Sequence, residues 1–371
     1  MEEHLSAYEL KNPESILTPA LLVYPEKVEN NIRATVNLMS GNADRWRPHI
    51  KTAKLAYVIR QMIGNGVRAF KCATTLELLT ACEAGAKDVL LAFPVTGANA
   101  RRVIALAGQF PATRISVLIE TDDQAAVWKG SNIGIFIDVN PGMNRTGVSQ
   151  ERSADIVELA RHVGAAFRGL HYYDGHVSAS DPAATQTGYN RLLDIVQALM
   201  KAGAAPEEVI TSGTPATKAA LTHAGLASGL FVHRVSPGTV VYNDISSLSQ
   251  LPDQGYLAAV AVLATVVSHP APNIFTCDAG HKSVSVDSGV PNCRIVGHPH
   301  FRPLKPSEEH LPVESSNGKV PAIGSQIYLI PRHVCPTVNN FDEALLVVNG
   351  EIRGVERVTA RGHEGPLVSA T

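Results

Sequence analysis

Between residues 45 and 240 short apolar runs alternate with helix-like segments, and this alternation constrains the fold more than any other feature of the chain. The strand candidates are WRPHIKT, AFKCA, VLLAF, RISVLIE, GIFIDVN, FRGLHYYDG, EEVITSG and LFVHRVSPGT. Segments such as LAYVIRQMIGNG and TLELLTACEAGA lie between them, with apolar residues at helical spacing and glycine near their ends. Such alternation implies parallel strands with helices outside. Eight units over roughly 200 residues predict a closed (β/α)8 TIM barrel, whose usual size this is. An open doubly wound sheet is the alternative, but the chain has no Gly-rich dinucleotide fingerprint or Walker loop to favour it.

After about residue 250 the texture changes. YLAAVAVLATVVSHP, NIFTCDAG, CRIVGH, QIYLIPRHV, EALLVVNG and EIRGVERV are β-rich and separated by Pro and Gly turns. They predict a second, mostly antiparallel β domain, which makes the fold class α/β. TPALLVY (18–24) is also strand-like and fits either domain. With 371 residues, 45% hydrophobic and 18% charged, the chain has the composition of an ordinary globular enzyme. A formal net charge of −2 gives no general reason to expect nucleic acid or anionic lipid as a partner. The start, MEEHLSAYEL, lacks the apolar stretch of a signal peptide, and no apolar run approaches the ~18 residues of a membrane span. Five scattered cysteines, an odd number, argue against a disulfide framework and fit a reducing cytoplasm.

Active sites of such barrels lie at the C-terminal ends of the strands. RPHIKTAKL (47–55) ends the first strand candidate, and with period 2 it puts Arg47, His49 and Lys51 on one face. If Trp46 and Ile50 pack against helices, Lys51 points inward. Desolvation there would lower its pKa and suit it to a Schiff base. A surface lysine at a loop is the competing reading. Lys54 is the rival amine, expected in solvent just inside the next helix. Thr211-Ser212-Gly213-Thr214 follows strand seven, with Pro215 set for a first helical turn, and Ser236-Pro237-Gly238-Thr239 follows strand eight. Barrels often bind phosphate with these two loops. Either alone is an ordinary turn; together, opposite a strand-end lysine, they suggest a phosphorylated aldehyde cofactor.

PHIKTAK, DVNPGMNRTGV (138–148), GLHYYDGH (169–176), TSGTPAT (211–217), SPGTVVYND (236–244) and PRHVCPTVN (331–339) occur in an order that spans most of the chain. In this set the sequence resembles the fold-type III pyridoxal-phosphate enzymes, within them the D-serine dehydratase and D-threonine aldolase group. The resemblance implies a barrel of alanine racemase type over 25–248. It implies a β domain from 1–24 and 249–371 that carries a metal site. It implies Lys51 as the Schiff-base lysine, Arg145 beside the cofactor's phenolic oxygen and Tyr173 at the pyridine nitrogen. Thr214, Gly238 and Thr239 would hold the phosphate with Gly213 beside them, and His49 and Ser212 complete the expected contacts with pyridoxal 5'-phosphate.

His333-Val334-Cys335-Pro336 is the candidate metal site. Read as extended, with Pro336 favouring that state for Cys335, it points His333 and Cys335 the same way. A lone H-x-C is more often packing; the resemblance turns the choice to metal. Imidazole plus thiolate suits Zn²⁺, with Mn²⁺ or Mg²⁺ as alternatives. Aldolases of the resembled group tend to carry Asp at the second ligand position and dehydratases Cys. Cys335 therefore implies a dehydratase that converts D-3-hydroxy amino acids to 2-oxo acids and ammonia. Retro-aldol cleavage to glycine and an aldehyde is the alternative, and a racemase or a non-catalytic cofactor carrier ranks lower. His176 is a candidate auxiliary acid or base, or a structural residue. His298-Pro299-His300 is expected to be exposed. A homodimer is implied by the resemblance alone.

Overall fold

Seven of the eight expected barrel strands form one parallel ladder in a computed structural model that describes residues 4–177 and 181–367. Their order is Ala69–Cys72, Asp88–Leu91, Arg114–Ile119, Gly134–Asn140, Phe167–Tyr172, Glu208–Thr211 and Val232–Val235. Helices lie between successive strands, among them Thr75–Glu83, Gly97–Gln109, Ser153–Val163 and Pro182–Lys201. The strands are buried almost throughout, as parallel strands covered on both faces must be.

WRPHIKT departs from the expectation of a full strand. Trp46 bridges Val235 and His49 bridges Lys71, so the segment joins the last strand to the first and closes the ring. Three backbone bonds hold it: Arg47 N to Val235 O (2.9 Å), Lys71 N to Pro48 O (2.9 Å) and Ile50 N to Lys71 O (2.8 Å). Pro48 has no N–H for a rung, which is why the ladder is broken here. Side chains make up for it. The fully buried Trp46 donates its indole N–H to Pro237 O at 2.8 Å.

The floor of the barrel, at the strand starts, is ionic. Arg47 is fully buried and donates from Nε and Nη2 to the two Glu208 oxygens, each at 2.8 Å, and from Nη1 to Asp88 at 3.0 Å. Arg234 reaches Glu208 at 2.6 Å, and Arg168 reaches Asp88 at 2.7 Å. Burial alone would raise the Asp88 carboxyl, but Arg47 and Arg168 hold it well below the usual range. Buried charges persist only when paired in this way.

The second unit is a nine-stranded, largely antiparallel sheet centred on the strand Val260–Ala271, which pairs with Ala20–Val23, Ile274–Cys277 and Gln326–Pro331. TPALLVY therefore belongs to this sheet, where Ala20–Val23 also runs parallel to Glu343–Val348. Leu22, Leu263, Tyr328, Ile330 and Val347 are part of its core. By packing, this unit takes the chain through Ala34, Thr52–Val58 and Thr239–Arg361, and the barrel unit takes Thr35–Lys51, Ile59–Gly238 and the residues from Gly362 on. The barrel span of 25–248 expected from sequence thus gives up residues at both ends and an internal turn. The turn is drawn away by hydrogen bonds: Lys54 Nζ to Ala360 O (3.0 Å) and Ala56 N to Thr359 Oγ1 (3.2 Å).

Lys54 is accordingly buried, not in solvent, and sits with φ 51° ahead of the helix Ala56–Gly64, not inside it. Pro215 lies in a turn before the helix Thr217–Thr222. His298 and His300 are half-buried rather than exposed, because both rings pack on Phe301 at centroid distances of 4.8 and 4.3 Å. All five cysteines are free thiols. Among the described residues no helix is long and apolar enough to cross a membrane.

Candidate active site

Lys51 follows the buried Ile50 in a turn at the mouth of the barrel and is half-buried. Its backbone N–H donates to His49 Nδ1 at 3.2 Å, so His49 braces the lysine's turn from within the chain. Arg145 stands on the loop NPGMNRTG, which folds on its own polar groups. Asn140 Oδ1 accepts from Gly142 N (2.9 Å) and Asn144 N (3.1 Å), and Thr146 Oγ1 donates to Asp138 Oδ2 at 2.7 Å. Gly147 has φ 98°, and a Cβ there would lie 2.9 Å from Asn140 N, so the loop closes only with glycine at that point. The Arg145 guanidinium lies 4.7 Å from the centre of the Tyr173 ring, which brings these two expected site residues together.

Beneath them is a row of buried titratable groups. His171 Nδ1 is 2.7 Å from Asp138 Oδ1, and His171 Nε2 is 3.2 Å from Lys71 Nζ. Burial, then the charge of Lys51, bring the Lys71 amine down to about 7 against the opposing pull of Asp138. Burial lowers His171 as well, with Lys71 adding to it. The Asp138 carboxyl is held down despite its burial by the His171 and Thr146 hydrogen bonds. His171 lies in the strand Phe167–Tyr172 and is buried there, whereas Tyr173 has just left the strand. His176 is exposed and is among the charges that bear on buried Asp174.

The two loops proposed for phosphate have the shape and the unmet polarity that an anion requires. Ser212 Oγ and Ser236 Oγ are buried without a hydrogen-bond partner, and Ser212 holds a left-handed φ of 61°. A Cβ at Gly238 would fall 2.4 Å from His49 O, and one at Gly213 3.0 Å from the Tyr173 ring. Glycine at both positions lets backbone approach closely. Thr214 is buried beside them in sequence, and Thr239 opens the short 3-10 turn Thr239–Val241. The amine of Lys51, the Arg145 guanidinium, the Tyr173 phenol and these two loops fit a phosphorylated pyridoxal.

His333 and Cys335 also come together, but not as an extended pair. Val334–Asn339 is a helix; His333 is its N-cap and Cys335 lies in its first turn. Pro336 sits in that turn too, where its missing N–H costs nothing, so the proline starts a helix instead of prolonging a strand. Burial would lower the His333 imidazole, yet hydrogen bonds to Cys335 and Asp287 take it up to about 9. Asp287 Oδ2 is 2.6 Å from His333 Nδ1, leaving Nε2 for a metal, the arrangement in which a carboxylate fixes the tautomer of a ligating histidine. Cys335 Sγ is 2.9 Å from Thr52 Oγ1 and 3.8 Å from Thr239 Oγ1. The donor set, one imidazole and one thiol, fits Zn²⁺ with open positions. Among the described residues there is no group of three or more His, Cys, Asp or Glu that could hold a metal.

Lys71, Asp138 and Asp287, which the structure places against His171 and His333, join the candidate site without having been expected there from sequence. AFKCA carries a signal, since a lysine inside an otherwise apolar parallel strand is costly. Residues 23–245 match the family model described as "Alanine racemase, N-terminal domain", and residues 259–347 match "Putative serine dehydratase domain". A D-threonine aldolase from Arthrobacter sp. is 30% identical over 93% of each chain. A 3-hydroxy-D-aspartate aldolase from Paracoccus denitrificans is 29% identical over 94% of this chain and 92% of its own. The crystal structure of D-threonine aldolase from Filomicrobium marinum superimposes with a TM-score of 0.83 at 25% identity, covering 94% of this chain and 96% of that one.

Proposed function

The chain belongs to the fold-type III pyridoxal-phosphate lyases that include D-serine dehydratases and D-threonine aldolases, and from that premise we propose that it dehydrates D-3-hydroxy amino acids to 2-oxo acids and ammonia, using a divalent metal. The observation that carries the reading is the His333–Cys335 pair, in which a thiol rather than a carboxylate stands beside the imidazole. Bound pyridoxal phosphate supplies the electron sink for charge at the substrate's α-carbon, and the metal supplies a Lewis acid for its β-hydroxyl.

The chain's own residues do the rest. Thr214, Gly238, Thr239 and the unpaired hydroxyl of Ser212 hold phosphate, with Gly213 keeping the approach open. Tyr173 and Arg145, one against the other, orient the ring and its phenolic edge. Lys51, braced by His49, would be the amine that holds the cofactor aldehyde, and the same amine would serve as the base for the substrate's α-proton. His333, its other nitrogen held by Asp287, and Cys335 hold the metal. His176, exposed after the strand that carries His171, is a candidate acid or base for the leaving hydroxyl. The working form is a homodimer, a reading that rests on the resemblance and that sedimentation of the active enzyme tests.

Retro-aldol cleavage is the second reading, favoured by the 29–30% identity to aldolases against 24% to a D-threo-3-hydroxyaspartate dehydratase from Delftia sp.. D-threonine separates the two. Dehydration yields 2-oxobutanoate and ammonia, whereas glycine and acetaldehyde as the only products would overturn the first reading.

A further inference from the structure

Lys71 has no part in the scheme above, yet among the described residues it is the one buried lysine of the barrel unit. It is 2% exposed, in the middle of the strand Ala69–Cys72. His171 from the fifth strand touches its Nζ at 3.2 Å, and the charges that act on it are those of Lys51 and Arg47 from the closing segment and of Asp138 and Arg145 from the fourth strand and its loop. The ring of Tyr173 lies 5.6 Å from its Nζ. Four of these neighbours are cationic or become so, and the one carboxylate, Asp138, is already bonded to His171 and Thr146. Such a row cannot carry all its protons at once.

We propose that Lys71 is a positioning residue that acts through Lys51: with His171 and Asp138 it forms a relay that takes the proton Lys51 has accepted and passes it to solvent. The geometry is that of a shared proton. With His171 Nδ1–H donated to Asp138, Nε2 is an acceptor for Lys71 Nζ at 3.2 Å; with Nε2 protonated, the neutral Lys71 amine accepts from it. One proton therefore moves between amine and imidazole while no heavy atom moves. Atoms balance: the α-proton goes to Lys51, from Lys51 to Lys71, and from the row to water, and no electron changes hands. An amine that titrates near 7, as burial and the Lys51 charge make Lys71 do, is matched to that task at neutral pH.

The inference rests on Lys51 being the cofactor lysine, and the test keeps the two apart. D-Alanine, which lacks a β-hydroxyl, is incubated with the holoenzyme in D2O, and loss of its α-proton is followed by NMR from pH 6 to 9. Wild type is expected to exchange, with a rate that falls below pH about 7 as Lys71 becomes charged. Lys71→Met, close in length and apolar, should keep the visible absorbance of the bound cofactor, exchange at least tenfold more slowly and lose that limb. Asp138→Asn, which weakens the row without touching Lys71, should shift the limb. Wild-type exchange rate and wild-type pH profile in Lys71→Met overturn the relay; if that variant does not fold, an unshifted limb in Asp138→Asn overturns it. Lys51→Ala reports on the premise alone: a cofactor band retained in that variant removes the premise and the relay with it.

Discussion

Glu207 and Glu208 are adjacent carboxylates of equal charge, and the structure predicts that removing them has very different consequences. Glu208 is fully buried on the barrel floor and accepts two bonds from Arg47 at 2.8 Å and a contact from Arg234 at 2.6 Å, with Arg168 at 3.8 Å. Glu207, its side chain 47% exposed, pairs mainly with Arg114, itself 50% exposed. Breaking a buried pair by deleting one partner costs ~3–5 kcal/mol, because the other charge is stranded. In Glu208→Ala, Asp88 and the Phe70 carbonyl still hold one arm of Arg47, which puts the expected loss at the low end, about 3 kcal/mol. Glu207→Ala should cost ~0–1 kcal/mol, the range of exposed ion pairs. The assay is urea unfolding at pH 7 followed by tryptophan fluorescence. Trp46 and Trp128 are the chain's two tryptophans, and both are buried in the barrel unit, so the signal reports that unit alone. Equal displacement of the two unfolding midpoints would refute the argument that desolvation, not charge, sets the stability of the floor.

Lys51→Ala should abolish the cofactor's visible absorbance and all turnover, whereas Lys54→Ala should keep the absorbance and lower the unfolding midpoint, because it deletes the buried bond to Ala360 O. Chelation should stop turnover and leave the cofactor band in place, and Zn²⁺ should restore turnover better than Mg²⁺, as a thiolate ligand favours it; metal-free protein, confirmed by elemental analysis, that turns over D-serine at the full rate would contradict this. Acid should destabilise the barrel in a defined window. The Asp88 and Asp138 carboxyls lie below their ordinary range in the folded state, so the unfolded chain binds protons first, and the stability they contribute is complete above pH about 4 and lost as pH falls below it. Unfolding midpoints measured from pH 6 to 3 should therefore fall most steeply at the acid end, and less steeply in Asp88→Asn.

The alternation of apolar runs was enough to read the barrel and the change to an antiparallel second sheet, because both patterns follow from which faces are buried. Two of its details were not readable locally. WRPHIKT has strand composition but one proline in the ladder, and its closure depends on partners almost 200 residues away, at Val235 and Pro237. VCPTVN reads as extended if Pro336 is taken to constrain Cys335, yet the same proline suits a first helical turn, and only the packed structure decides. At the candidate site, motif order alone leads to Lys51, Arg145, Tyr173 and the two loops, and the structure brings Arg145 against Tyr173. The burial of Lys71 depends on partners in other strands that AFKCA does not reveal, and the burial of Lys54 depends on the Ala360 carbonyl, 306 residues distant.

The closing segment of the barrel has a consequence for the lifetime of the protein. The stave is held to its neighbours by three backbone bonds, an indole and a guanidinium, fewer backbone rungs than the continuous ladders on either side have. Lys51 ends that stave and Gly238 faces His49 across it, so a molecule held by both sides would clasp the stave to the last strand's loop. Ligand affinity and resistance to opening then become a single quantity, by mass action. If pyridoxal phosphate is held from both sides of the Trp46–Lys51 segment, protein without it would be cut there sooner, and limited proteolysis with and without added cofactor measures the difference.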